Sequence, residues 1–196
     1  MWDKVKVHPW VGEFYESNEL LPYRTLVLGE SNYTTQENFN SNLVIACIKD
    51  HIGENSDDNF SRFATKTRRV ILGRETKISA KEFWQNAAFY NFVQYRVGDL
   101  SKQRPTQKMW DDSVQAFDEL VNNIKPERIL VLGQENWKNL LARIDHQKIN
   151  DFMTKFIIGD NAVIAGFIVH PSAGGGYFTY KEYGPIAKQV VLGGNA

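Results

Sequence analysis

Three short apolar runs, each stopped by a residue that turns the chain, constrain the fold of this sequence most strongly. Arg24-Thr25-Leu26-Val27-Leu28 ends at Gly29, Ile129-Leu130-Val131-Leu132 ends at Gly133, and a run carrying Val163, Ile164, Phe167, Ile168 and Val169 ends at His170-Pro171. Runs this short and this apolar read as strands buried on both faces, as in a parallel sheet. Ala87-Ala88-Phe89-Tyr90, ending at Asn91, is a fourth candidate, although Trp84 to Val93 also fits a buried helix. Ile158-Gly159-Asp160-Asn161 reads as a turn, which makes Lys155 to Ile164 a candidate hairpin.

Helical periodicity fills the intervals. It is clearest over 106–124, where Met109, Trp110, Val114, Phe117, Leu120, Val121 and Ile124 recur three and four residues apart. Further helices are expected at about 36–51, 59–72, 134–143 and 180–191. Strands that alternate with helices imply a sheet covered on both faces. The expected fold is therefore α/β, with three layers, α/β/α, around a mainly parallel four-stranded sheet. No repeat or linker divides the 196 residues, so one domain is expected.

Parallel α/β sheets bind ligands at the carboxyl ends of their strands. Three of the four expected strands end on polar residues: Glu30, Asn91 and His170. Gly29 lets the backbone turn and approach a ligand closely. The bland reading of the next residues is that Asn32, Thr34 or Thr35 caps a helix. His170 can donate a hydrogen bond to a developing anion. Ser172 and the glycine amides after it can hold a phosphate. A buried, internally satisfied histidine and a plain loop are the bland alternatives there. His8-Pro9 lacks the preceding strand and following glycines and reads as N-terminal packing. His51 and His146 lie on charged stretches and read as surface residues.

Lys plus Arg and Asp plus Glu number 23 each, so net charge leaves no electrostatic footprint for nucleic acid. That argues against a protein that coats DNA in bulk, but a local basic rim still attracts phosphate. Lys66, Arg68, Arg69 and Arg74 are the candidate rim, with a solvated helix face as the plain reading. The single cysteine, Cys47, excludes an intrachain disulfide and a Cys-rich metal or iron–sulfur site, and reads as a small core residue. No nucleotide-binding glycine pattern or metal motif is visible, so no cofactor and no metal are expected. The N-terminal Trp2-Asp3-Lys4 is polar and no membrane-spanning run appears; a cytoplasmic protein with no membrane partner is expected.

Gly29-Glu30-Ser31-Asn32-Tyr33 and His170-Pro171-Ser172, in this order, resemble the water-positioning and His-Pro-Ser motifs of the uracil-DNA glycosylase superfamily. Phe89-Tyr90-Asn91-Phe92-Val93, Arg104-Pro105-Thr106 and Ile124-Lys125-Pro126 through Leu132-Gly133 follow the segment order of its thermostable branch. The likeness covers about residues 24 to 175. The chain departs from that branch in lacking its four cluster cysteines, and Asn32 stands where the first motif carries proline.

The resemblance implies a DNA glycosylase that takes uracil or another altered base out of the stack and hydrolyses its bond to the sugar. It implies that Glu30 orients water and offsets sugar charge, while His170 donates to the base oxygen. It implies that Asn91 reads the base edge, an amide offering donor and acceptor together. Tyr33, Asn32 and Phe63 would surround the base. Ser31, Ser172, Gly174 and Gly175 would meet the DNA backbone. Two other readings fit the neutral charge: a catalytically weak relative that binds nucleic acid or a protein, and an enzyme acting on free nucleosides or nucleotides.

Overall fold

The computed structural model describes residues 2–17, 19–53, 58–99, 103–173 and 175–194. Its strands are β1 (Trp10–Val11), β2 (Thr25–Gly29), β3 (Asn32–Tyr33), β4 (Ala87–Asn91), β5 (Arg96–Gly98), β6 (Arg128–Leu132), β7 (His146–Lys148), β8 (Met153–Ile158) and β9 (Asn161–Ile168). Its helices are α1 (Leu43–Ile52), α2 (Asn59–Leu72), α3 (Ala80–Gln85), α4 (Gln107–Asp111), α5 (Val114–Ile124), α6 (Gln134–Leu141) and α7 (Tyr180–Leu192).

The main sheet has the order β1-β4-β2-β6-β9-β8-β7, and β3 pairs with β5 apart from it. β4, β2, β6 and β9 run parallel at the centre. These are the four strands expected from the apolar runs, but among the described residues the count of four is corrected to seven. β1 adds an antiparallel edge, and β8 with β7 extends the other side, also antiparallel. β1 is two residues long and β7 is exposed at every position, so neither carries an apolar run. β8 is the other arm of the hairpin that turns at Gly159-Asp160.

Strand alternation divides the core. Leu26, Leu28, Ile129 and Val131 face Trp110, Phe117, Leu120 and Trp137 of α4, α5 and α6. Val27, Phe89, Leu130 and Leu132 face Ile48, Phe63, Val70, Phe83 and Val190 of α1, α2, α3 and α7. Helices therefore cover both faces.

The expected 106–124 helix is two helices. The Ser113 Oγ donates to Met109 O at 2.7 Å and accepts Gln94 N–H at 3.1 Å, so the break is held by a contact from far along the chain. The expected 36–51 helix starts only at Leu43. Before it, Asn40 Oδ1 accepts Asn42 N–H and Asn40 Nδ2 donates to Asn38 O, local bonds that compete with a helix. His51 is buried, which corrects its surface reading: it follows Val44 and Ile48 by helical spacing on the inward stripe of α1. No helix among the described residues is long and apolar enough to cross a membrane.

Candidate active site at the carboxyl ends of the parallel strands

Register levels the strand ends. Gly29 pairs with Asn91, Leu28 with Val131, and Leu132 with Ile168. Glu30, Asn91 and His170 therefore leave the same end of the sheet. A Cβ on Gly29 would lie 2.1 Å from Asn91 Oδ1, so glycine leaves the space the Asn91 amide occupies. Beyond them, Phe92 N donates to Gly29 O at 3.0 Å and Val93 N to Glu30 O at 2.9 Å.

The Glu30 side chain is only 11% exposed. Its Oε1 accepts the Tyr33 hydroxyl at 3.2 Å and, weakly, the Ser31 hydroxyl at 3.4 Å; its Oε2 accepts Arg104 at 2.9 Å. Burial pushes the carboxyl above the usual carboxylate range, and the Arg104 charge works against that push. Burial also raises the Tyr33 hydroxyl, which keeps it a donor.

His170 stacks on Phe63, with ring centroids 5.1 Å apart and planes 12° apart. Its Nδ1 accepts the Ser172 backbone N–H at 3.2 Å. A nitrogen that accepts cannot carry the proton, so the neutral ring presents Nε2–H as its donor. Burial, with the Arg104 and Lys66 charges adding to it, pushes the imidazole pKa down to about 4. The ring is therefore neutral at physiological pH. Lys66 Nζ also donates to Pro171 O at 3.2 Å, tying α2 to this turn.

Asn91 Nδ2 donates to Asn32 Oδ1 at 2.9 Å, and Asn32 Nδ2 donates to Val93 O at 3.3 Å. Gln94, nearly fully buried, donates to the Asn91 carbonyl at 2.8 Å. Arg96 donates to Thr34 O at 3.3 Å and to Gln36 at 3.1 Å, fixing the chain after Tyr33.

Several assignments change. Asn32 starts no helix and does not face outward: it is 4% exposed, and both ends of its amide are occupied in holding Asn91 and the chain beyond it. Ser31 is buried, with its hydroxyl 3.4 Å from Glu30 Oε1. Phe63 is 7% exposed with one face covered by His170, so it backs the histidine and offers no open stacking ring. Ser172 is exposed beside His170. Gly175 is exposed with φ +68°, a left-handed turn that favours glycine. Gly174 lies outside the described residues. The basic run is split: Arg68 turns inward onto Ile78 O, and Arg74 stands 3.7 Å from Glu75.

Arg104 was visible in the sequence only as part of Arg-Pro-Thr, where the Thr106 hydroxyl caps α4. Nothing in that local pattern points to Glu30. The other unforeseen supports are Gln94 and Asn136, a fully buried residue of α6 whose Nδ2 donates to Leu28 O at 3.2 Å.

Compared with known families, the chain matches no family model, and no curated protein is significantly similar to it. Among the described residues, no group of three or more His, Cys, Asp or Glu side chains could hold a metal ion. Two surface hollows, of about 460 and 350 Å³, lie away from the strand-end constellation, the second at the amino ends of β2, β6 and β9.

Proposed function

We propose that this chain hydrolyses N-glycosidic bonds in the manner of a uracil-DNA glycosylase, releasing uracil or another altered base from DNA. The observation that carries the reading is the combination at one sheet end of a carboxylate largely withdrawn from water, Glu30, with a neutral imidazole, His170, whose free donor is Nε2–H.

The chemistry follows from those states. As the bond between base and sugar breaks, its electron pair leaves with the base and positive charge develops on the sugar. His170 donates from Nε2 to the base oxygen that gathers negative charge. Glu30 offsets the charge on the sugar, orients a water toward it and accepts the proton as the water adds. The Asn91 amide has one hydrogen held by Asn32 and keeps a second for the base edge. Tyr33, tethered to Glu30, flanks the bound base. Ser172 and the glycine turn at 175 meet the DNA backbone.

A second reading is action on free nucleosides, which needs no basic rim; Arg68 of the candidate rim turns inward onto Ile78 O. One experiment tests both. Oligonucleotides carrying uracil, hypoxanthine or oxidised bases, single and double stranded, are incubated with the protein and treated with alkali. Free nucleosides are assayed in parallel for base release. Strand scission, lost by about a hundredfold or more in E30Q and H170A, is the expected result. Base release confined to nucleosides selects the second reading, and no release from any substrate overturns both.

A further inference from the structure

Arg104 approaches Glu30 from the segment before Pro105 and the Thr106 cap of α4. The two partners differ in exposure. The Arg104 side chain is 55% exposed and that of Glu30 is 11% exposed, so a carboxylate withdrawn from water meets a cation that stays hydrated. The same cation stands close enough to His170 to disfavour the imidazolium, in the same sense as Lys66.

We propose that Arg104 is a positioning residue that sets the protonation pattern of the pair, holding Glu30 as a carboxylate and His170 as a neutral imidazole together. The inference rests on reading Glu30 and His170 as the working pair. Burial alone favours the neutral form of both groups, and a neutral Glu30 cannot draw a proton from water. A positive charge opposes the effect of burial on Glu30 and reinforces it on His170, because it favours the charged form of an acid and the uncharged form of a base. Arg104 supplies that charge at 2.9 Å from Glu30.

The other groups around the pair do not duplicate this. Tyr33 and Ser31 give Glu30 neutral hydroxyl donors. Glu135, in the first turn of α6, opposes ionisation of Glu30. Lys66 acts on His170 from α2 and is tied to Pro171 O.

The test is titration of the full chain by NMR, following the Glu30 side-chain carboxyl carbon and the His170 ring nitrogens in wild type, R104Q, R104K and K66Q. R104Q should carry both midpoints to higher pH, R104K should restore both, and K66Q should move His170 alone. Midpoints unmoved in a folded R104Q, or moved in opposite directions, overturn the proposal. If R104Q does not fold, the wild type decides. Raising KCl from about 0.02 to 0.5 M screens a half-exposed cation and should move both midpoints upward; midpoints indifferent to salt overturn the proposal. The readout needs no substrate. A failure of base release therefore rejects the glycosylase reading and leaves this result standing, whereas unmoved midpoints reject Arg104's role in an enzyme that still works.

Discussion

Phe63 lies flat against His170, its ring centroid 5.1 Å from that of the imidazole. The helix that carries Phe63 starts at Asp58, whose carboxylate caps it by accepting Ser61 N–H at 2.7 Å. The orientation of the histidine therefore depends on the helix that also sends Lys66 to the Pro171 carbonyl. F63A should cost about 3–5 kcal/mol of stability, the usual range for emptying a buried aromatic site. F63L leaves a smaller cavity than F63A and should cost less, yet process oligonucleotides more slowly than wild type, because the flat backing is lost. Urea unfolding with a parallel activity assay separates the two effects. An F63L protein with wild-type turnover would reduce the stack to packing.

His170 makes stability depend on pH with a definite sign. Its folded pKa of about 4 lies below the ordinary histidine value near 6.5, so between the two the unfolded chain binds a proton that the folded chain refuses. Stability should rise with pH through that window and fall as pH drops through it. Urea midpoints taken from pH 7 down to 4 should decline less steeply in H170Q than in wild type. Parallel curves would contradict the burial of the imidazole.

Glu30 works in the opposite sense. Burial raises its folded pKa, so stability present below the ordinary carboxylate range is lost as pH rises through the folded value. E30Q should therefore melt at a higher temperature than wild type at pH 7.5, and gain nothing at pH 4, while losing activity. A lower melting temperature at pH 7.5 would mean that the Arg104 ion pair outweighs the cost of burying the carboxylate.

Gly29 and Asn91 should be coupled. A methyl group on Gly29 would meet Asn91 Oδ1 at 2.1 Å, so G29A must push the amide off Asn32. The expected cost is about 1–3 kcal/mol, as for other overpacked sites. In an N91A background only the milder contact with Phe89 at 3.3 Å remains, and the same change should cost less. A double-mutant cycle reads this directly; strictly additive values would show that the two residues do not meet.

The parallel centre of the sheet was legible because both faces are buried, which leaves short apolar runs with abrupt stops. The 59–72 helix coincides with α2, its apolar stripe and its Asp58 cap both being local signals. What escaped depends on partners distant in sequence. Ser113 breaks a helix through Gln94, β1 exists only by pairing with β4, and Arg104 finds Glu30 across 74 residues. The three strand-end residues were legible as positions. The roles of Asn32, Ser31 and Phe63 were not, because motif order says nothing about which way a side chain turns. The alternating asparagines at 38, 40 and 42 were a readable warning that helix formation is delayed to Leu43.

The contacts that complete the strand-end constellation also bear on how the chain acquires it. Asn91 meets Asn32 across 59 residues, Arg104 meets Glu30 across 74, and Lys66 meets Pro171 across 105. Closing such loops costs entropy before any contact offsets it, and chains rich in distant contacts fold slowly. No fragment that stops short of β9 contains the imidazole. In a refolding experiment, helical signal from segments such as α2 should recover early, and the stacked His170 environment should appear only in the slowest phase. Competence at this sheet end is thus a late event in the life of each molecule.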